Sequence, residues 1–244
     1  MTVMQQVDPP VARDLADEAR DRLLRLARAA LAATTGAGTT AAVDEALRAV
    51  DDLDDPAAVF VTLTKGGELR GCIGTLHPDR RLADAVVWGA VSAARRDPRF
   101  RPVEAAELPA IEIEISVLGA PVPLDDPTRF RPGIDGVIVE RGGRVAILLP
   151  EVANRFRWGA AEMLAAVCSK AGLHHDAWRD SGTGLTRFRT VRFGGPAVAV
   201  VARDETSAGV ADDLDVASPT IAEDGADALV AEDQDELAVF EGRS

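Results

Sequence analysis

Tyrosine is absent from the 244 residues, and the whole aromatic share is 4%. A core built under that restriction is filled by Ala, Val, Leu and Ile, which the 47% hydrophobic content supplies in a chain long enough for one large core or two modest ones. Cysteine is nearly absent too. Cys72 and Cys168 are too few for a disulfide scaffold and too few for the cysteine triplet of a radical-SAM cluster. No run of about eighteen uncharged apolar residues occurs. The N-terminus lacks a basic region followed by an apolar stretch, so neither a membrane span nor a secretory signal is indicated. A cytoplasmic location with reduced thiols is the expectation. Lysine appears only as Lys65 and Lys170, against 25 arginines, which a GC-rich coding bias explains. Phosphate loops, dinucleotide fingerprints, nucleophile elbows and zinc-protease helices are all missing.

What is present in excess is acid, and it is concentrated. Residues 203–244 hold thirteen Asp and Glu against two Arg, a net of -11 out of the chain's -13, which leaves residues 1–202 at -2. The charge therefore belongs to an appendage on an almost neutral domain. Its composition predicts a disordered tail. The arginines at 95, 96, 99 and 101 do not offset this, and nucleic-acid binding is not expected.

The domain alternates helix and strand signals. Asp8-Pro9-Pro10 reads as a helix start, with an apolar face running from Val11 to Ala30 and a stop at Thr34-Thr35-Gly36. A shorter helix over about 42–50 follows. Val59, Val61 and Leu63 alternate with Phe60, Thr62 and Thr64, and the chain turns at Gly66-Gly67 into a return strand carrying Leu69-Arg70-Gly71-Cys72-Ile73-Gly74. A helix opens at Pro78-Asp79 and ends before Asp97-Pro98. Residues 111–117 form the cleanest strand, and its polar face implies an antiparallel sheet. A proline-rich loop covers 121–132. A second hairpin turns at Gly142-Gly143, a helix over 160–170 carries Met163, Leu164, Val167 and Cys168 inward, and Leu185–Phe193 reads as one strand with Val198–Val201 as a possible last one.

The Leu69–Gly74 run resembles the signature of the AMMECR domain family. Further motifs follow in the family's order: Asp97-Pro98-Arg99-Phe100, Glu114–Leu118, Asp135-Gly136, Leu149-Pro150, Cys168 with Lys170–Leu173, and Trp178. The resemblance spans about residues 11–195. It implies an α+β fold, mainly antiparallel sheet with helices, in two subdomains around a cleft. Relatives occur beside or fused to Memo-type and radical-SAM proteins, which makes those the expected partners. Glu151 follows Leu149-Pro150 where many relatives carry glutamine.

Several residues invite chemistry. Strand alternation puts Arg70 and Cys72 on one face, where the guanidinium would lower the thiol's pKa and make a nucleophile. The competing reading is a small buried residue, since free Cys is among the most buried types. Gly71 and Gly74 mark a bulge or the close approach of a ligand or another backbone. Glu112 and Glu114 share a strand face, and Glu114 or Asp135 would handle protons. Arg99 and Glu151 would contact an anionic or zwitterionic small molecule. No cofactor is expected, although Cys72, His77, Cys168 and His174 or His175 offer soft sulfur and imidazole that would suit zinc or iron if the fold assembled them. Two functions remain open. One is a thiol-dependent enzyme, or a component of one, acting on a small polar substrate. The other is a binding or adaptor module in which the signature is a shape requirement. Oligomeric state is not legible.

Overall fold

The computed structural model describes residues 8–10, 15–198 and 229–230, the last pair in backbone only. The two glycine turns organise it. Gly66 and Gly67 have φ of 61° and 85°, and Gly142 and Gly143 have 57° and 77°, the left-handed region that a tight hairpin turn demands and glycine alone enters without strain. Each hairpin nucleates a different sheet. β1 (Val59–Lys65) and β2 (Glu68–Gly74) join β3 (Ile111–Leu118), β8 (Thr190–Pro196) and β9 (Leu229–Val230) in the order β8-β3-β1-β2-β9. β5 (Gly136–Arg141) and β6 (Arg144–Leu148) join β4 (Val122–Pro123) and β7 (Gly184–Phe188) in the order β4-β7-β5-β6. Every pairing is antiparallel, and the fold is α+β as the sequence implies.

Each sheet buries one face under helices. Val59, Val61, Leu63, Ile111, Ile113, Ile115 and Val117 pack on α1 (Asp17–Thr35) and α3 (Leu82–Arg95), with α2 (Thr40–Arg48) alongside. Val137, Val139, Ala146 and Leu148 pack on α4 (Pro150–Phe156) and α5 (Ala160–Lys170), which supplies Met163, Leu164, Val167 and Cys168. A third, smaller cluster of Phe60, Leu69, Cys72, Ile147, Leu149 and Phe188 joins the two sheets. It is made from the faces that carry no helix.

Two expectations change, and one helix is added. The first helix begins at Asp17, not at Asp8–Pro10; Asp8 instead accepts a hydrogen bond from Arg187 at 3.0 Å. The run Leu185–Phe193 is two strands, with β7 in one sheet and β8 in the other and the change at Arg189 between them. The Leu149-Pro150 motif opens a helix, α4, with proline at its first turn where a missing N–H costs nothing. Residues 199–201 of the expected last strand lie outside the described residues, as does the acidic tail of 203–244 except for Leu229–Val230.

Candidate functional site

The signature strand β2 is placed by a bulge. Leu63 faces Gly71 but Thr64 faces Leu69, so Arg70 is the extra residue. A one-residue slip reverses the side-chain alternation. Leu69, not Arg70, therefore shares the inter-sheet cluster with Cys72. Arg70 turns to Glu107, donating from Nε and Nη2 to its two carboxylate oxygens at 3.1 and 2.9 Å, and to the carbonyls of Arg101 and Pro102. The expected guanidinium–thiol pairing does not form. Cys72 is 1% exposed, its Sγ lies 3.1 Å from the Thr62 hydroxyl, and its neighbours are apolar.

The two signature glycines are packing requirements. A Cβ on Gly71 would overlap the carbonyl of Ala93 in α3, and one on Gly74 would overlap the Phe60 ring and the Val59 carbonyl. What comes close is another backbone or a ring of the same chain. Asp97 completes the frame: its carboxylate accepts the Cys72 N–H at 2.8 Å and both Nε and Nη2 of Arg99 at 2.9 and 2.8 Å. Burial alone would raise the Asp97 pKa, but the Arg99 and Cys72 hydrogen bonds reverse that, and the net effect is a lowered value. Arg99 is thus committed to the frame on which Cys72 sits.

The Glu107 carboxylate is strongly perturbed. Hydrogen bonding to Arg70, helped by Lys65 and by the Glu104 N–H, outweighs desolvation and holds its pKa at about 2. A depressed folded-state value contributes stability that is fully present above the unfolded value near 4.5 and is lost as pH falls toward about 2. Glu107→Gln should therefore lower stability at pH 7 yet flatten the stability–pH curve between about 4.5 and 2, read by urea denaturation across that range. A parallel curve with the wild-type slope would refute the assignment.

The acids gather elsewhere. Cys72, Thr62 and Glu114 lie in one row across three strands, so Glu114 stands about 10 Å from the thiol. Arg192 of β8 reaches Glu114 of β3 at 3.6 Å and Glu151 of α4 at 3.8 Å, joining one sheet to a helix packed on the other. Beside Glu151 and Arg192 opens a pocket of about 320 Å³, lined also by Asn154, Arg189 and Thr190 with Gly133 and Ile134. Arg189 extends from the strand junction, its Nε 3.6 Å from Asp135. Asp135 is fully buried, accepting from Arg187 at 3.1 Å and from the Arg131 N–H at 3.1 Å. Glu151, Arg189 and Arg192 line the pocket, Glu114 adjoins it through Arg192, and Asp135 lies buried behind Arg189. Neither arginine was singled out for this site by the sequence, where the signal was charge persisting in an alternating strand. A second, apolar groove of about 480 Å³ lies beside the inter-sheet cluster, lined by Leu76, Leu118, Ile138 and Phe188.

The sulfur and imidazole groups do not assemble. Cys168 is sealed in the α5 core, where burial raises its pKa. Among the described residues only His174, His175 and Asp176 bring three ligating atoms together, and all three are exposed. His174 Nδ1 already accepts the Asp176 N–H. Glu112 points to solvent on β3. His77 stays in the loop after β2, its N–H donated to Thr75. No described helix is long and apolar enough to cross a membrane.

Comparison with known proteins places the fold among known relatives. A protein from Methanothermobacter thermautotrophicus is 47% identical over 157 residues, covering 60% of this chain and 82% of that protein. One from Thermococcus onnurineus is 39% identical over 187 residues, covering 72% and 90%. The crystal structure of an uncharacterized protein from Pyrococcus horikoshii superposes with a TM-score of 0.67 at 35% identity, covering 75% of this chain and 95% of its own. The family model named AMMECR1 matches residues 24–193, a span that contains both sheets' hairpins, the signature strand and the polar pocket, and the chain belongs to the AMMECR1 family.

Proposed function

We propose that the domain is a binding module whose polar pocket takes a small zwitterionic molecule, with Arg189 and Arg192 receiving its carboxylate and Glu114 and Glu151 its cationic group. The observation that carries this reading is the position of Arg192. Its guanidinium lies between two carboxylates at 3.6 and 3.8 Å, inside ion-pair range but outside hydrogen-bond range. A guanidinium has five donors in a fixed fork, and a ligand carboxylate would engage two of them at bonding distance. Cys72 is left out because a thiol 1% exposed, packed in the apolar inter-sheet cluster beside Thr62, offers a ligand no access. Signature residues then serve as frame, and the pocket beyond it does the recognition.

Calorimetric titration with a panel of amino acids and related zwitterions tests this. Arg192→Ala should weaken the responding ligand at least tenfold, about 1.4 kcal/mol, while Cys72→Ser leaves affinity within twofold. A ligand insensitive to Arg192→Ala but lost in Cys72→Ser would restore the thiol-centred reading.

A further inference from the structure

β2 would be the outer strand of its sheet but for two residues from far along the chain. Leu229 pairs with Gly74 and Val230 with Ile73, antiparallel, after 30 intervening residues, 199–228. The orientation of the outer edge follows from two bonds. The Cys72 N–H points outward to Asp97, and the Thr75 N–H points inward to the Val59 carbonyl. Alternation therefore turns the Gly74 N–H and C=O outward, toward Leu229. One stretch of the edge is closed by the Asp97 carboxylate, and the next is covered by Leu229 and Val230. An open edge with unpaired N–H and C=O groups is a template for another strand.

Charge supports the match. Asp227 precedes and Glu232 and Asp233 follow the Leu229–Val230 pair in sequence. On the receiving side, the stretch around Asp97 carries Arg96 and Arg101, both exposed, with Arg99 between them. We infer that the outer edge of β2, the strand bearing the family signature, is a strand-acceptor surface kept occupied by this chain's own acidic segment around Leu229–Val230. Two ladder pairs between separate molecules would be too few to persist, whereas a tether within one chain makes the pairing intramolecular and raises its effective concentration to the millimolar range. The occupant is a segment acidic in sequence, held by the Leu229–Val230 pair, and the contact is displaceable. It is independent of the polar pocket, which opens beside β8 at the opposite end of the sheet order.

Amide hydrogen exchange on the full chain tests it. Leu229→Pro removes the N–H that faces the Gly74 carbonyl and should speed exchange of the Gly74 amide at least tenfold. The Ile73 amide, which faces β1, should not change and reports that the sheet stays folded. Raising salt to 1 M should move Gly74 in the same direction. Equal Gly74 exchange in wild type and Leu229→Pro overturns the inference. Protection that grows with protein concentration, alongside a dimer in light scattering, overturns the intramolecular assignment.

Discussion

Gly71→Ala should destabilise the domain by about 3 kcal/mol, the upper part of the usual overpacking range, and shift the urea midpoint by about 1 M or more. On an open strand the same change would stabilise slightly, by restricting the unfolded chain. Here the added methyl meets the carbonyl of Ala93, which is backbone in the last turn of α3 and has no rotamer to escape into. Relief requires α3 to move away from β2, and α3 is held by Val86, Ala90 and Ala93 in the largest core cluster. Cys72→Ser is the control next door. It keeps a hydroxyl near Thr62 and should cost about 1 kcal/mol, the price of a small polar group among apolar ones. If the two variants lose equal stability, the close approach at Gly71 is not what fixes the signature, and its explanation moves back to the thiol.

The contrast also shows where sequence reading succeeds and where it stops. Gly66-Gly67 and Gly142-Gly143 announce two hairpins because the turn conformation is a local property, and the period of residues 111–117 or of α5 is equally local. The bulge at Arg70 is not local. It exists because β1 pairs with β2 in a register that skips one residue, and that single skip sends the guanidinium to Glu107 and leaves Cys72 without it. The strand break at Arg189 is hidden for a related reason: alternation continues through it, and only the partners, β5 on one side and β3 on the other, reveal two sheets. The pocket inherits this opacity. Glu114, Glu151 and Asp135 could be singled out by type, but what gathers them with Arg189 and Arg192 is the crossing of chain between sheets.

Asp135→Ala should cost about 3–4 kcal/mol, far more than Asp8→Ala, although both acids bond the same arginine. Arg187 is 1% exposed and presents a planar guanidinium. Its buried counter-ion is Asp135, also fully buried, whereas Asp8 meets it from a side chain 57% exposed, where solvent screens the pair. Removing Asp135 strands a cation in the protein interior. Removing the cation as well, in Asp135→Ala with Arg187→Met, should recover part of the loss, so urea denaturation of the two single variants and the double should show strong non-additivity. Additive losses would mean that Arg187 is solvated or otherwise compensated. The same network borders the pocket, because Arg189 lies 3.6 Å from the second Asp135 oxygen and follows Arg187 on the strand by two residues. A folded Asp135→Ala protein should therefore also bind the zwitterion more weakly, since the guanidinium aimed at its carboxylate has lost the anchor that aims it.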